Sequence, residues 1–289
     1  MLSLADAAAV ADGVGPLSEQ VRLHLAYGGD PAVRNLLLRH GAHLAGYAHL
    51  GFADPAEGRS GELVIHPAYR RRGLGLALAR AVLAEESLLP VRIGAHGDLP
   101  AAARLAAATG FTRARALLQM RRSLREGVDE PRLPPGVSLR TFVPGQDEDG
   151  WIVLNARAFA THPEQGKWTR ADLEHREAEP WFDPHGFFLA ERDGRLAGFH
   201  WTKIHKPKPG QTGEPVGEVY VVGVDPAEQG TGLGRALTLA GLRYLREREL
   251  PAVMLYVDGD NAAAIRLYAS LGFAHSNTDV MYAHQPTPP

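Results

Sequence analysis

Val221-Val222-Gly223-Val224-Asp225-Pro226-Ala227-Glu228-Gln229-Gly230-Thr231-Gly232-Leu233-Gly234 reads as a strand ending at a proline, a glycine-rich turn and the start of a helix. The helix follows from Leu233, Ala236, Leu237, Ala240 and Tyr244, whose spacing puts them on one face at the 3.6-residue period. A strand, a tight turn and a helix N-terminus gather backbone N–H groups and the positive end of a helix dipole at one point. That is an anion site, and pyrophosphate is its natural ligand. Glycine is needed where the backbone must approach a phosphate or take positive φ. The dinucleotide fingerprint G-x-G-x-x-G is not met, because Gln229-x-x-Gly232-x-Gly234 lacks the third glycine, and no P-loop lysine is present.

The same order occurs earlier in the chain. Glu62-Leu63-Val64-Ile65-His66-Pro67 leads to Arg70-Arg71-Arg72-Gly73-Leu74-Gly75, and Leu74, Ala77, Leu78, Ala81 and Val82 continue at helical spacing. Working outward, Leu44-Ala45-Gly46-Tyr47 matches Leu196-Ala197-Gly198-Phe199. Each follows an apolar run (Leu36 to Leu38, Phe187 to Leu189) and a turn, His40-Gly41 or Asp193-Gly194, which together signal a hairpin. Downstream, strands Val91 to Ala95 and Val253 to Val257 precede helices that end in Gly110-Phe111 and Gly272-Phe273. Four matched features in one order establish a duplication. The predicted boundaries are a first domain at 1–125, a linker at 126–136 and a second domain at 137–289. Pro131, Pro134 and Pro135 stiffen the linker, and no apolar period crosses it. The second copy is predicted to open with a strand at Val137 to Phe142 and a helix from Asp147 to Ala160; the first has no clear matching initial strand.

Bulk properties agree with two ordinary globular domains in 289 residues, with 45% hydrophobic and 22% charged residues. The absence of cysteine removes disulfides, thiolate metal sites and a thiol nucleophile, and the histidines lack metal-ligand spacing, so no metal is expected. No stretch approaches the roughly 18 apolar residues of a membrane span. Met1 to Val14 lacks a basic signal-peptide region, so a cytoplasmic location is expected. The net charge of −2 divides into +5 for residues 1–125 and −7 for the remainder. The basic excess suits a phosphate-bearing ligand or a plain solvated surface. Nucleic-acid binding is not expected, because the only basic run, Arg70-Arg71-Arg72, belongs to the first glycine loop.

Arg/Gln-x-x-Gly-x-Gly after a strand, followed by Asn261-Ala262-Ala263-Ala264-Ile265-Arg266-Leu267-Tyr268-Ala269-Ser270-Leu271-Gly272-Phe273, resembles the acetyl-CoA signature of the GNAT superfamily. The resemblance covers both halves. It implies an α/β (α+β) fold of two tandem GNAT domains, each a mixed, mostly antiparallel sheet flanked by helices. It also implies two central strands splayed into an acetyl-CoA cleft. Glu218-Val219-Tyr220-Val221-Val222-Gly223-Val224-Asp225-Pro226, the segment His162-Pro163-Glu164-Gln165-Gly166-Lys167-Trp168 and the tandem arrangement resemble the mycothiol acetyltransferase (mycothiol synthase) family more closely. That family acetylates the cysteinyl amine of a cysteine–glucosamine–inositol conjugate.

The resemblance implies site residues. Acetyl-CoA would contact Leu63, Val64, Ile65, Arg70, Arg71, Arg72, Gly73, Leu74 and Gly75 in the first copy. In the second it would contact Val222, Gly223, Val224, Gln229, Gly230, Thr231, Gly232, Leu233, Gly234, Arg235, Asn261, Ala262, Ala263, Ala264, Ile265 and Arg266. Glu218 would be the general base, and Tyr268 would face the CoA sulfur. Glu19, Glu164, Lys203, Glu218 and Tyr256 would hold the acceptor. A carboxylate at its reference pKa of about 4.3 is a weak base, so either burial or an ordered water has to assist it.

Counting back from the matched prolines and glycines pairs Glu218 with Arg59, Tyr268 with Ala106 and Asn261 with Leu99. The first copy is therefore expected to bind CoA without catalysing, and the second to be the enzyme. The expected reaction is direct transfer to a small-molecule amine in a ternary complex, by a monomer. A GNAT enzyme for another amine and a non-catalytic acyl-CoA sensor are the competing readings.

Overall fold

The computed structural model describes residues 1–289 except 29–31, 55–57, 86–88, 161, 163–164, 208–212 and 287–289. Helices α1 (Leu2–Asp12) and α2 (Glu19–Tyr27) come first. Gly13, at φ 72°, ends α1 by returning its N–H to Ala9. Ser18 caps α2, its hydroxyl accepting from the Val21 N–H. There follow β1 (Arg34–His40), β2 (His43–Asp54), β3 (Gly58–Ile65), α3 (Leu74–Glu85), β4 (Val91–Ala95), α4 (Pro100–Ala108) and β5 (Thr112–Ser123). The second series is β6 (Val137–Thr141), α5 (Glu148–Ala158), α6 (Arg170–Glu177), β7 (Phe187–Arg192), β8 (Arg195–His205), β9 (Val216–Val224), α7 (Leu233–Glu247), β10 (Ala252–Asp258), α8 (Ala262–Ser270) and β11 (Ala274–His284). The expected opening strand and helix of the second copy are β6 and α5. The first copy opens on helices instead.

Two compact units result. Unit 1 comprises Met1–Leu118, Asp258–Asp260 and Asn277–Pro289, and unit 2 comprises Gln119–Val257 and Asn261–Ser276. The units are not simply the two halves of the chain, since the end of β11 belongs to unit 1 and the end of β5 to unit 2.

In unit 1 the strand order is β1-β2-β3-β4-β11, with one parallel pair, β3/β4, and antiparallel neighbours elsewhere. In unit 2 it is β10-β9-β8-β7-β6, and the parallel pair is β9/β10. Both parallel pairs part early. The β3/β4 register runs from Arg59↔Val91 to Glu62↔Gly94, and the β9/β10 register from Gly217↔Val253 to Val219↔Leu255. Leu63–Ile65 and Tyr220–Val224 continue past the last pairs, leaving backbone groups along each cleft for another partner. The mixed, mostly antiparallel sheets and their splayed strands match the expected GNAT architecture.

Each sheet has a core on both faces. In unit 1, Leu50, Leu78, Val82, Ile93 and Phe111 form one, while Leu4, Ala8, Val21, Tyr47 and Val64 hold α1 and α2 to the other. Unit 2 has an aromatic core beneath α5 and α6, where the Phe187 ring lies between those of Phe142 and Trp201 at centroid distances of 4.4 and 4.5 Å. On the opposite face Ala197, Leu233 and Leu237 bury α7, with Leu133 packed against them. Segment 126–136 contains no helix or strand, yet it is fixed on unit 2: Val128 is buried and Glu130 pairs with Arg243 at 2.7 Å.

Close packing of α7 depends on Gly241. A Cβ there would lie 2.1 Å from the Cε1 of His200. His200 is fully buried, its Nδ1 is 2.7 Å from the Leu237 carbonyl, and burial lowers its pKa to about 4, so it stays neutral and donates.

Candidate active site

The site in unit 2 is built on β8 and β9. Their antiparallel register pairs Trp201 with Val221 but Thr202 with Val219, leaving Tyr220 as the extra residue of a β-bulge. Strict alternation would put Tyr220 and Val221 on opposite faces. The bulge lets both join the aromatic core. It also sets the register Lys203↔Glu218 and His205↔Val216, so Lys203, His205 and Glu218 project from one face.

Glu218 is 7% exposed and occupies the next-to-last paired position before β9 and β10 diverge. Its Oε2 lies 2.6 Å from Nε2 of His205, a side chain 39% exposed. Lys203, equally buried, places its Nζ 4.1 Å from the Trp181 ring centre and 4.9 Å from that of Tyr220. Buried Arg176 of α6 lies 3.8 Å over the Trp168 ring and donates its Nε–H to the Tyr220 hydroxyl at 2.7 Å. The wall beside the carboxylate is thus aromatic and carries two buried cations.

The second glycine loop lies at the other end of β9. Gly230 and Gly232 have φ of 78° and 90°, and Gly232 is the N-cap of α7. These values suit glycine and turn successive N–H groups to one side. Thr231 donates its hydroxyl to the Glu228 carbonyl at 2.7 Å, and Arg235 donates to the Ser270 hydroxyl at 2.9 Å. Gly223 permits close packing, since a Cβ there would lie 2.6 Å from the Phe199 ring. Asn261 caps α8, its Oδ1 accepting from the Ala264 N–H at 3.1 Å; Ala262–Arg266 form the first turns. Tyr268, further along α8, is 7% exposed, and burial raises its pKa to about 12. Tyr256 of β10 is 40% exposed, and its hydroxyl accepts from Gln119 at 2.9 Å. Glu164 lies outside the described residues, and Glu19 opens α2 in unit 1.

Unit 1 repeats the frame with different side chains. A cavity of about 360 Å³ runs between the splayed β3 and β4, bounded by Leu63, Ile65, Gly73, Gly75, His96 and Leu105 among others. Gly73 and Arg71 have φ of 77° and 61°, and a Cβ on Gly73 would meet nothing within 4 Å. Arg70 is engaged, donating twice to Asp12 at 2.6 and 2.7 Å and through Nε to the Ile65 carbonyl. Arg72 lies 5.6 Å from the Tyr69 ring centre. Arg59, the residue that sequence counting pairs with Glu218, is buried and donates Nη1 to the carbonyls of Ala32 and Gly51 at 3.0 and 2.5 Å. The Tyr268 counterpart, Ala106, is a core residue.

A second charge cluster sits inside unit 1. Glu62 accepts from the Ser18 N–H at 2.8 Å and lies 3.3 Å from Nε2 of His96, whose Nδ1 is 2.8 Å from Asp279. Burial would lower the His96 pKa, but hydrogen bonds to Asp279 and Glu62 outweigh it and push the pKa up to about 10. The sequence reading did not single out His205, Arg176, Trp181 or this triad. For His205 the signal was available, because it stands two residues beyond Lys203 on the same strand face.

The duplicated fold and the paired loops correspond to a tandem acetyltransferase. The family model for the acetyltransferase (GNAT) family matches residues 4–111 and 154–273. A tandem GNAT protein from the clavulanic acid biosynthesis pathway superposes with a TM-score of 0.72 at 25% identity, covering all of this chain and 94% of its own. A mycothiol acetyltransferase of Thermobispora bispora is 63% identical over 282 residues, 98% of this chain and 94% of the relative. Another, from Acidothermus cellulolyticus, is 58% identical over 98% of this chain and 89% of its own. The chain therefore belongs to the GNAT acetyltransferases and, within them, to the mycothiol acetyltransferase family. It is an acyltransferase, and acetyltransferases of this family use acetyl-CoA. Among the described residues, no helix is long and apolar enough to cross a membrane.

Proposed function

We propose that the chain acetylates the cysteinyl amine of a cysteine–glucosamine–inositol conjugate, forming mycothiol, and that unit 2 performs the transfer. The observation carrying this reading is the buried Glu218 carboxylate just before the β9/β10 splay, in the unit that also holds Asn261 and Tyr268. The relatives' identity supports the acceptor. The protein would act in the cytoplasm as a monomer.

The residues present fit acetyl-CoA. β9 offers Tyr220–Val224 unpaired with β10, and the loop glycines at positive φ leave room for a pyrophosphate against the amides. When bound, acetyl-CoA would supply the acyl group, and CoA would leave as a thiolate that takes its proton from solvent. Glu218 takes a proton from the attacking amine; a peptide-like ammonium has a reference pKa of roughly 7.7–8.0, so much of it needs deprotonating at neutrality. Tyr268 keeps its proton, and with a pKa near 12 it stands well above a thiol at about 8.5. It therefore acts by hydrogen-bonding to the developing thiolate rather than by full proton release. Lys203 is held by Trp181 and Tyr220, which fixes a positive wall near the carboxylate. Tyr256 offers an exposed edge to the acceptor, and Glu164 would contact it as well. Unit 1 binds CoA through its own loop and lacks the two proton-handling groups.

The test is purified protein with acetyl-CoA and a panel of amines, following release of free thiol. The cysteinyl-glucosaminyl-inositol amine is expected to be the preferred acceptor. A clear preference for an aminoglycoside, polyamine or peptide N-terminus, or no turnover with any amine, contradicts the proposal.

A further inference from the structure

The carboxylate of Glu218 has two oxygens, and only one is free to serve an amine. Its Oε2 is engaged by His205 Nε2 at 2.6 Å, a short hydrogen bond. The two side chains meet because the bulge at Tyr220 sets the register in which His205 faces Val216, one step diagonally from Glu218. Were β9 paired with β8 without the bulge, Glu218 would face Ile204 and its side chain would lie on the face opposite His205. The local structure therefore brings a half-exposed imidazole onto a buried carboxylate.

The geometry points to His205 as the positioning residue of this enzyme: it fixes the Glu218 carboxylate through Oε2, so that Oε1 is directed to the acceptor amine. This rests on Glu218 being the base. A carboxylate free to rotate about its last torsion would spend only part of its time aligned, and near-attack geometry governs much of the rate. Other polar groups on this face are Lys203 of β8, with its ammonium over Trp181 and Tyr220, the Tyr220 hydroxyl, and Arg176 of α6 bonded to that hydroxyl. On β10, Met254 pairs with Glu218, and Tyr256 follows two residues on. Lys203 and Arg176 are anchored on aromatic rings, and among the described residues His205 alone hydrogen-bonds to the Glu218 carboxylate.

His205→Leu, His205→Gln, Glu218→Gln and the double variant His205→Leu/Glu218→Gln test this, each with a melting curve and measured acetyl-CoA affinity. His205→Leu is expected to lower kcat about ten- to a hundredfold, with little change in acetyl-CoA affinity. Gln carries an N–H at nearly the reach of Nε2, so His205→Gln is expected to recover most of the rate. In the Glu218→Gln background His205→Leu is expected to have no further effect. Wild-type kcat in His205→Leu, or an equal loss in both backgrounds, overturns the role of His205 while leaving Glu218 as the base. Wild-type turnover in Glu218→Gln overturns the base assignment and the role of His205 together.

Discussion

At the scale of single residues the account rests on one buried carboxylate and one buried phenol. Replacing Glu218 by Gln keeps its shape and removes its basicity, so turnover at pH 7 should fall by roughly 10²–10⁴ while acetyl-CoA affinity stays nearly unchanged. Raising the pH should restore part of the rate, because the amine then loses its proton unaided. Steady-state rates between pH 6 and 9 check this, and a flat profile at wild-type level contradicts it. Tyr268→Phe removes a hydroxyl whose proton burial already holds to about pH 12. Loss of a hydrogen bond to a developing anion should lower kcat about tenfold or more. The pH profile should keep its shape, since no group titrating below pH 9 is removed. Both residues were legible in the sequence only through the family resemblance. A strand glutamate and a helix tyrosine carry no chemical signal by spacing alone.

Elements were legible where the pattern is periodic. The hairpins, the glycine loops and the helices behind them follow from apolar spacing and turn residues, and the repeat fixed their order. The bulge at Tyr220 was not, because a period of two cannot register an inserted residue. That insertion brings Tyr220 and Val221 to one face. His200 shows a similar limit: a histidine inside β8 reads as polar, yet α7 seals it and Gly241 makes the room. Gly241→Ala would ordinarily favour a helix by about 1 kcal/mol. Here the added Cβ falls 2.1 Å from the imidazole, so the variant should instead be destabilised by about 1–3 kcal/mol. Urea unfolding measures the sign, and a more stable variant contradicts the packing argument.

For the whole molecule, the finding that periodicity could not supply is where strand ends belong. The pattern of β11 marks it as a strand but does not say which neighbour it joins. Val280–His284 pair with β4 in unit 1, and Asp279 holds His96 there. The sign of the pH effect follows from His96. Its pKa is raised from 6.5 to about 10 in the folded state, so its contribution is complete below about 6.5 and is lost as pH rises towards 10. Wild type should lose stability between pH 7 and 10 more steeply than His96→Gln or Asp279→Asn. Equal losses in thermal melts at the two pH values would exclude the triad as the cause.

The division of labour between the units is the central claim, and matched loop variants test it most directly. A Cβ at Gly75 would sit in ordinary contact with Leu105 and Ile65, both lining the unit 1 cavity; at Gly234 it would meet Val224 and Leu267 in the same way. Neither position has positive φ, so a leucine at either should be tolerated by the fold while obstructing its cleft. The measurement is turnover at saturating acetyl-CoA and cysteinyl-glucosaminyl-inositol amine for Gly75→Leu and Gly234→Leu, each shown to be folded. The account predicts that Gly234→Leu loses turnover and Gly75→Leu retains it. Loss of turnover in Gly75→Leu with an active Gly234→Leu would contradict it and move the chemistry to unit 1.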